Sequence, residues 1–170
     1  MGVLLYQSTN KQSKAVDLRD ALLIGQAPDR GLYFPEAFPR FTPDEMEAFV
    51  KLPYHEIAFR VLSGYTEGVI EPNALAQMCR ETYHYAVPLE KVYDRVHVMR
   101  LDQGPTASFK DFAAQMMARL MGRFLREDGK QLTILTATSG DTGSAVAHAF
   151  HNVFGVCVIV LFPFAEVSVS

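Results

Sequence analysis

Leu132-Thr-Ile-Leu-Thr-Ala-Thr-Ser-Gly-Asp-Thr-Gly-Ser144, followed at once by Ala-Val-Ala-His-Ala-Phe150, decides the fold of this chain. Its first six residues are apolar or β-branched and predict a buried strand over 132–138, and the glycines and hydroxyl residues then predict a turn. A helix is expected over 142–152 and a second buried strand over 156–162. Strand, turn, helix, strand is the order of a parallel α/β layer. In such a layer the free N–H groups of the helix start face the crevice at the carboxyl end of the strand, where glycines allow a ligand close to the backbone. The turn therefore suits an anion, with Ser139, Thr142 and Ser144 adding hydroxyl donors. The alternative is that Asp141 caps the helix and Gly140 and Gly143 only turn the chain.

Three other glycine or aspartate motifs do not fit. No lysine follows Gly143, so the turn is not a Walker phosphate loop. Gly140 and Gly143 lack the leading pair of a dinucleotide-binding turn. Asp141-Thr-Gly-Ser144 spells the aspartic-protease tetrapeptide, but those carboxylates sit in β structure and here the continuation is helical. His148 and His151 stand three apart on a helix with no third ligand in sight, which is the pattern of polar positions near a helix end.

Upstream, Gly104-Pro-Thr-Ala-Ser-Phe-Lys-Asp111 breaks a strand pattern and opens a helix. Ser108 stands three residues before Asp111, the spacing of a capping pair. Phe109, Phe112, Ala113, Met116, Met117, Leu120, Met121, Phe124 and Leu125 then recur at helical spacing, and Gly129 ends the run. Lys110 lies about 100° round the helix from Phe109 and flanks this stripe, within reach of a cleft. The partial positive charge of a helix start disfavours a second positive charge, so an ammonium held there is expected to release its proton more readily. A neutral amine suits a Schiff base with a carbonyl cofactor such as pyridoxal phosphate. A solvated lysine in a first helical turn is the alternative reading of this octapeptide.

Before residue 88 the pattern is mostly helical. A short edge strand is expected over 3–6, and a helix led by Ser13 runs to Gly25. The segment 27–39, with its four prolines and glycines around Leu32-Tyr-Phe34, is expected to lay aromatic groups on a neighbouring surface. Thr42, Pro43 and Glu45 announce a capping box, with Pro53 as terminator. Helices follow over 54–63 and 72–85, with Gly64 and Gly68 as the turn between them. After Pro88 the period changes, and Val96 and Val98 predict a strand over 92–101. Two domains result, 1–87 and 88–170.

The chain has 170 residues, 16 basic and 19 acidic, for a formal charge of −3, and 49% of its residues are apolar. That charge offers no field for nucleic acid or an anionic membrane. No apolar run approaches the roughly 20 residues needed to span a bilayer. Cys79 and Cys157 stand far apart and are expected to be core thiols, with neither a disulfide nor a zinc site. A cytoplasmic setting is expected, and the sequence leaves the oligomeric state open. A parallel sheet stopping after 156–162 would keep an exposed edge and face, so the polypeptide reads as truncated.

Taken together, 104–112 and 132–150 resemble the cofactor-lysine segment and the serine-glycine-aspartate loop of the threonine synthase family, and Gly31-Leu-Tyr-Phe-Pro35 resembles its N-terminal signature. The resemblance implies a small, mostly helical N-terminal domain followed by the start of a parallel-sheet, fold type II pyridoxal 5'-phosphate domain. It implies Lys110 as the Schiff-base lysine and proton shuttle, Asp141 beside the cofactor, and Ser139, Gly140, Asp141 and Thr142 as the substrate loop. The implied reaction converts O-phospho-L-homoserine and water to L-threonine and phosphate. The sequence departs from the family at Gln103, where many relatives carry histidine. It also lacks the family's second half, with the glycine-rich cup for the cofactor phosphate and the hydroxyl partner of the pyridine nitrogen, so the 170 residues alone are expected to be inactive. The competing class is a non-catalytic α/β module that binds an anion or cofactor, with Lys110 as a counter-charge.

Overall fold

The structure, a computed structural model, describes residues 2–164. Two compact units divide the chain, Met1–His84 and Tyr85–Ser170. The expected tail after Pro163 lies, from residue 165 on, outside the described residues.

In the first unit, strand β1 (Tyr6–Ser8) pairs antiparallel with β2 (Tyr33–Pro35), joined through helix α1 (Leu18–Ile24). Helices α2 (Pro43–Phe49), α3 (Tyr54–Thr66) and α4 (Pro72–Thr82) follow, and α3 packs on α4. The α2 start is the expected capping box, with the Thr42 hydroxyl accepting from the Glu45 N–H and the Glu45 carboxylate accepting from the Thr42 N–H. Leu75, Cys79 and Thr82 form the buried side of α4. Burial pushes the Cys79 thiol up to about 11, which suits an inert core group. The Tyr6 phenol is buried too and donates to the Tyr65 carbonyl at 3.1 Å.

Several expectations change here. The first helix begins at Leu18 because Asp17, not Ser13, caps it by accepting from the Asp20 N–H. The Ser13 hydroxyl instead accepts from the Asp29 N–H. The Asp29 carboxylate in turn receives the Ser8 hydroxyl at 2.6 Å and the N–H groups of Gln12, Ser13 and Gly31. Residues 33–35, expected in an irregular loop, form a strand, and Phe34 and Phe38 stack edge-on while both stay exposed. Gly64 does not turn the chain: it sits inside α3, where a Cβ would collide with the Pro39 ring.

The second unit opens with β3 (Leu89–Tyr93) and β4 (Val96–Met99), an antiparallel pair. The expected single strand over 92–101 is thus half of a hairpin, and it belongs to its own two-stranded sheet rather than to the parallel one. Helix α5 (Asp111–Asp128) comes next, ended by left-handed Gly129. Strand β5 (Leu132–Ala137), helix α6 (Asp141–Phe150) and strand β6 (Val156–Leu161) complete the unit. β5 and β6 pair in parallel, with Leu132 opposite Val156 and Ala137 opposite Leu161.

The core of this unit lies between α5 and α6. Phe124 and Phe150 are fully enclosed, and Met116, Ala118, Leu120, Met121, Leu125 and Ala145 are buried as well. The expected α5 stripe therefore holds in its C-terminal half, but Phe109 and Ala113 are exposed while Ala114 and Gln115 are buried. Both strands alternate between half-buried and exposed positions, so one face carries Leu135, Ala137, Ile159 and Leu161 into solvent. Cys157 lies in that exposed set and is not a core thiol, contrary to expectation.

Candidate functional site around Lys110 and the 138–144 turn

Lys110 is the residue immediately before α5, with helical backbone angles of φ −70° and ψ −17°. Its side chain is half-buried, and its Nζ lies 4.2 Å from the centre of the exposed Phe109 ring. Such a contact is a weak cation–π attraction at an exposed site, small enough to be given up when the amine has another partner. No hydrogen bond or ion pair joins Lys110 to the 139–142 turn among the described residues.

The capping pair expected of Ser108 and Asp111 takes a different form. The Ser108 hydroxyl accepts from the Lys110 N–H at 3.3 Å, and the Ser108 carbonyl accepts from the Asp111 N–H at 3.0 Å. The Asp111 carboxylate, completely buried, reaches backward and accepts the Thr106 N–H at 2.9 Å and the Thr106 hydroxyl at 2.7 Å. The Ala107 N–H closes the turn on the Gly104 carbonyl at 3.0 Å. Gly104 is required by close approach, since a Cβ there would lie 2.5 Å from Asp111 Oδ2. Sequence reading missed Thr106, and no spacing rule points to a bond from a helix residue to one five positions earlier.

Just upstream, Gln103 is exposed and donates through Nε2 to Asp102 at 3.1 Å. Arg100 grips Asp102 through Nε and an η nitrogen and also binds Glu90 at 2.7 Å. The guanidinium beside Asp102 holds that carboxyl well below the usual carboxylate range. This cluster ties the end of the hairpin to the approach to Gly104.

The second part of the site is the turn between β5 and α6. Asp141 is the first residue of α6 and is exposed, with no side-chain capping bond at that helix start. The cap is instead Thr138, whose hydroxyl receives the Gly140 N–H at 3.1 Å and the Gly143 N–H at 3.3 Å. Gly143 is packed so closely that a Cβ would meet the Thr138 methyl and come within 3.1 Å of Val160. Ser139, Gly140 and Asp141 are exposed and Thr142 is half-buried, so the turn presents its polar groups to solvent. The first-turn N–H groups of Asp141 and Thr142 have no partner within the helix by geometry, which leaves them available to an anion. The sequence places Thr138 where the strand gives way to the turn, but its spacing does not show that its hydroxyl caps the helix.

Comparison with known proteins bears on both parts. A family model described as "Threonine synthase N terminus" matches residues 5–83. Threonine synthase of Pseudomonas aeruginosa is 42% identical over 168 residues, covering 96% of this chain and 36% of that protein. Among solved structures, the pyridoxal-phosphate-bound threonine synthase of Brucella melitensis superimposes with a TM-score of 0.92 at 38% identity, over 97% of this chain and 37% of that one. The Escherichia coli threonine synthase structure gives a TM-score of 0.87 at 32% identity, over 96% of this chain and 38% of that one. The chain thus spans little more than a third of the length of the relatives it matches. The fold and its two turns define a mixed α/β polypeptide of the kind that forms the N-terminal part of a larger enzyme. Over nearly its whole length the chain is similar to the N-terminal portion of threonine synthases.

Proposed function

We propose that this chain is the lysine-bearing N-terminal portion of a threonine synthase, an enzyme that converts O-phospho-L-homoserine and water to L-threonine and phosphate with pyridoxal 5'-phosphate. On this reading 1–87 is the N-terminal domain and 88–170 begins the cofactor-binding domain, in a cytoplasmic setting. The observation that carries it is Lys110, a half-exposed primary amine heading a long, well-packed helix in a chain similar to threonine synthases. The donor set fits the cofactor and its substrate: one accessible amine for a carbonyl, and a turn of backbone N–H and hydroxyl groups for an anion.

The cofactor, when bound, supplies an electron sink for charge developing on the substrate. Lys110 Nζ would hold the cofactor and would move protons at the α and β carbons of the substrate. Ser139, Gly140, Asp141 and Thr142 would bind and orient an anionic group of the substrate through their N–H and hydroxyl donors, and Asp141 would also contribute to holding the cofactor. Phosphate leaves from the γ carbon and water adds at the β carbon.

The test is absorbance of the chain with added pyridoxal phosphate, then borohydride reduction and peptide mass mapping beside Lys110→Ala. A reduced adduct at Lys110 alone, absent from the variant, is the expected result. Label spread evenly over Lys11, Lys14, Lys51, Lys91, Lys110 and Lys130, with no change in the variant beyond residue 110, would overturn it.

A further inference from the structure

We infer that Thr106 and the buried Asp111 form a latch that positions Lys110. The inference deepens the proposed role of that lysine, but its geometry stands on this chain alone. Asp111 has no exposure to solvent, yet among the described residues it forms no ion pair with a cation. Both of its oxygens are used on one residue, Oδ2 by the Thr106 N–H and Oδ1 by the Thr106 hydroxyl. A buried carboxylate is costly unless hydrogen-bonded, and the positive end of α5 offsets the remainder. This is not an ordinary helix cap, in which a side chain before the helix accepts from N–H groups ahead of it. Here the first helical residue pulls the preceding turn back onto the helix.

The consequence falls on Lys110. Its own N–H is held by Ser108, its carbonyl accepts from Ala114 at 2.9 Å, and the next residue is the anchored Asp111. Ala107 sits at φ +55°, a left-handed conformation unfavourable for alanine, and the bonds of Thr106 on one side and Ser108 on the other hold it there. With both flanks fixed, the Lys110 backbone has one orientation, while among the described residues its amine has only the weak Phe109 contact to hold it. Thr106 and Asp111 are positioning residues: they set where the amine emerges and touch no reacting atom.

The experiment uses the full chain and needs no cofactor. In the wild type, the Thr106 amide should exchange with solvent about tenfold or more slowly than an exposed loop amide, because it is bonded to a buried charged acceptor. Trace labelling with acetic anhydride, mapped by mass, then reads the reactivity of Lys110 against Lys51 in the same molecule. Thr106→Val and Asp111→Asn should shift that ratio, and Thr106→Ser, which keeps the hydroxyl, should restore it. A Thr106 amide that exchanges as fast as an exposed loop, or a ratio unchanged in both variants with native circular dichroism, would overturn the latch. If the valine and asparagine variants do not fold, the wild-type exchange rate decides. Failure to trap a pyridoxal phosphate adduct at Lys110 would count against the proposed function and leave this result standing.

Discussion

At the scale of single residues, the best-determined polar centre outside the candidate site is Asp29. The hydrogen bond from the Ser8 hydroxyl is the main cause that lowers its carboxyl from the ordinary 3.8 to about 2, with the Gly31, Gln12 and Ser13 donors adding to it against a smaller opposing effect of burial. A carboxyl whose value is depressed in the folded state binds its proton more readily when unfolded, so it stabilises the fold above about pH 4. That contribution fades as pH falls from about 4 to about 2 and is gone below it. Melting temperatures of the wild type and Asp29→Asn should therefore differ most at pH 5 to 7 and converge towards pH 2. Parallel curves across that range would show that the four donors do not favour the ionised form. Lys110 and the glycine turn could be picked out in sequence because each announces a helix start. Thr106 and Thr138 could not, because their bonds depend on how a turn folds back on its neighbour.

At the scale of elements, α5 and the β5–α6–β6 unit were legible because long periodic runs with clear ends leave few alternatives. Helix α5 stops before Gly129, as its pattern requires, but it starts at Asp111, two residues after Phe109, where the stripe is expected to begin. The hairpin was not legible: its turn, Asp94-Arg95, has no glycine, and the left-handed position at φ +42° is filled by Asp94. Without an Asn-Gly or Asp-Gly signal, alternation on its second strand reads as one longer strand. Strands β1 and β2 have three residues each, too short for alternation to register. The stripe on α5 also drifted, since Asp111 in the first turn is buried against Thr106 while Phe109 and Ala113 stay exposed. Phe124 has no exposed surface. Phe124→Ala should lower stability by about 3–5 kcal/mol in urea unfolding. A loss under about 1 kcal/mol would mean that the surroundings collapse into the space and that α5 is not rigidly packed.

At the scale of the whole molecule, the feature that sets behaviour in solution is the distribution of uncovered apolar side chains. Each strand of the second unit carries some: Leu89, Val92 and Tyr93 on β3, Val96, Val98 and Met99 on β4, Leu135 on β5, and Ile159 and Leu161 on β6. Leu135 and Ile159 are register partners, 64% and 46% exposed, so they form one contiguous patch rather than scattered contacts. Parallel sheets are ordinarily covered on both faces, and a bare apolar face with two open edges invites association. The purified chain should therefore associate with rising concentration by light scattering. Leu135→Thr with Ile159→Thr leaves a β-branched side chain at both strand positions while removing on the order of 2 kcal/mol of burial drive per position. The double variant should keep the same circular dichroism and lose most of the association. A wild type that stays monodisperse at every concentration would show that this face is not adhesive. Association unchanged in the double variant would move the adhesive surface to the β3–β4 hairpin, where Val96→Thr with Val98→Thr is the next measurement.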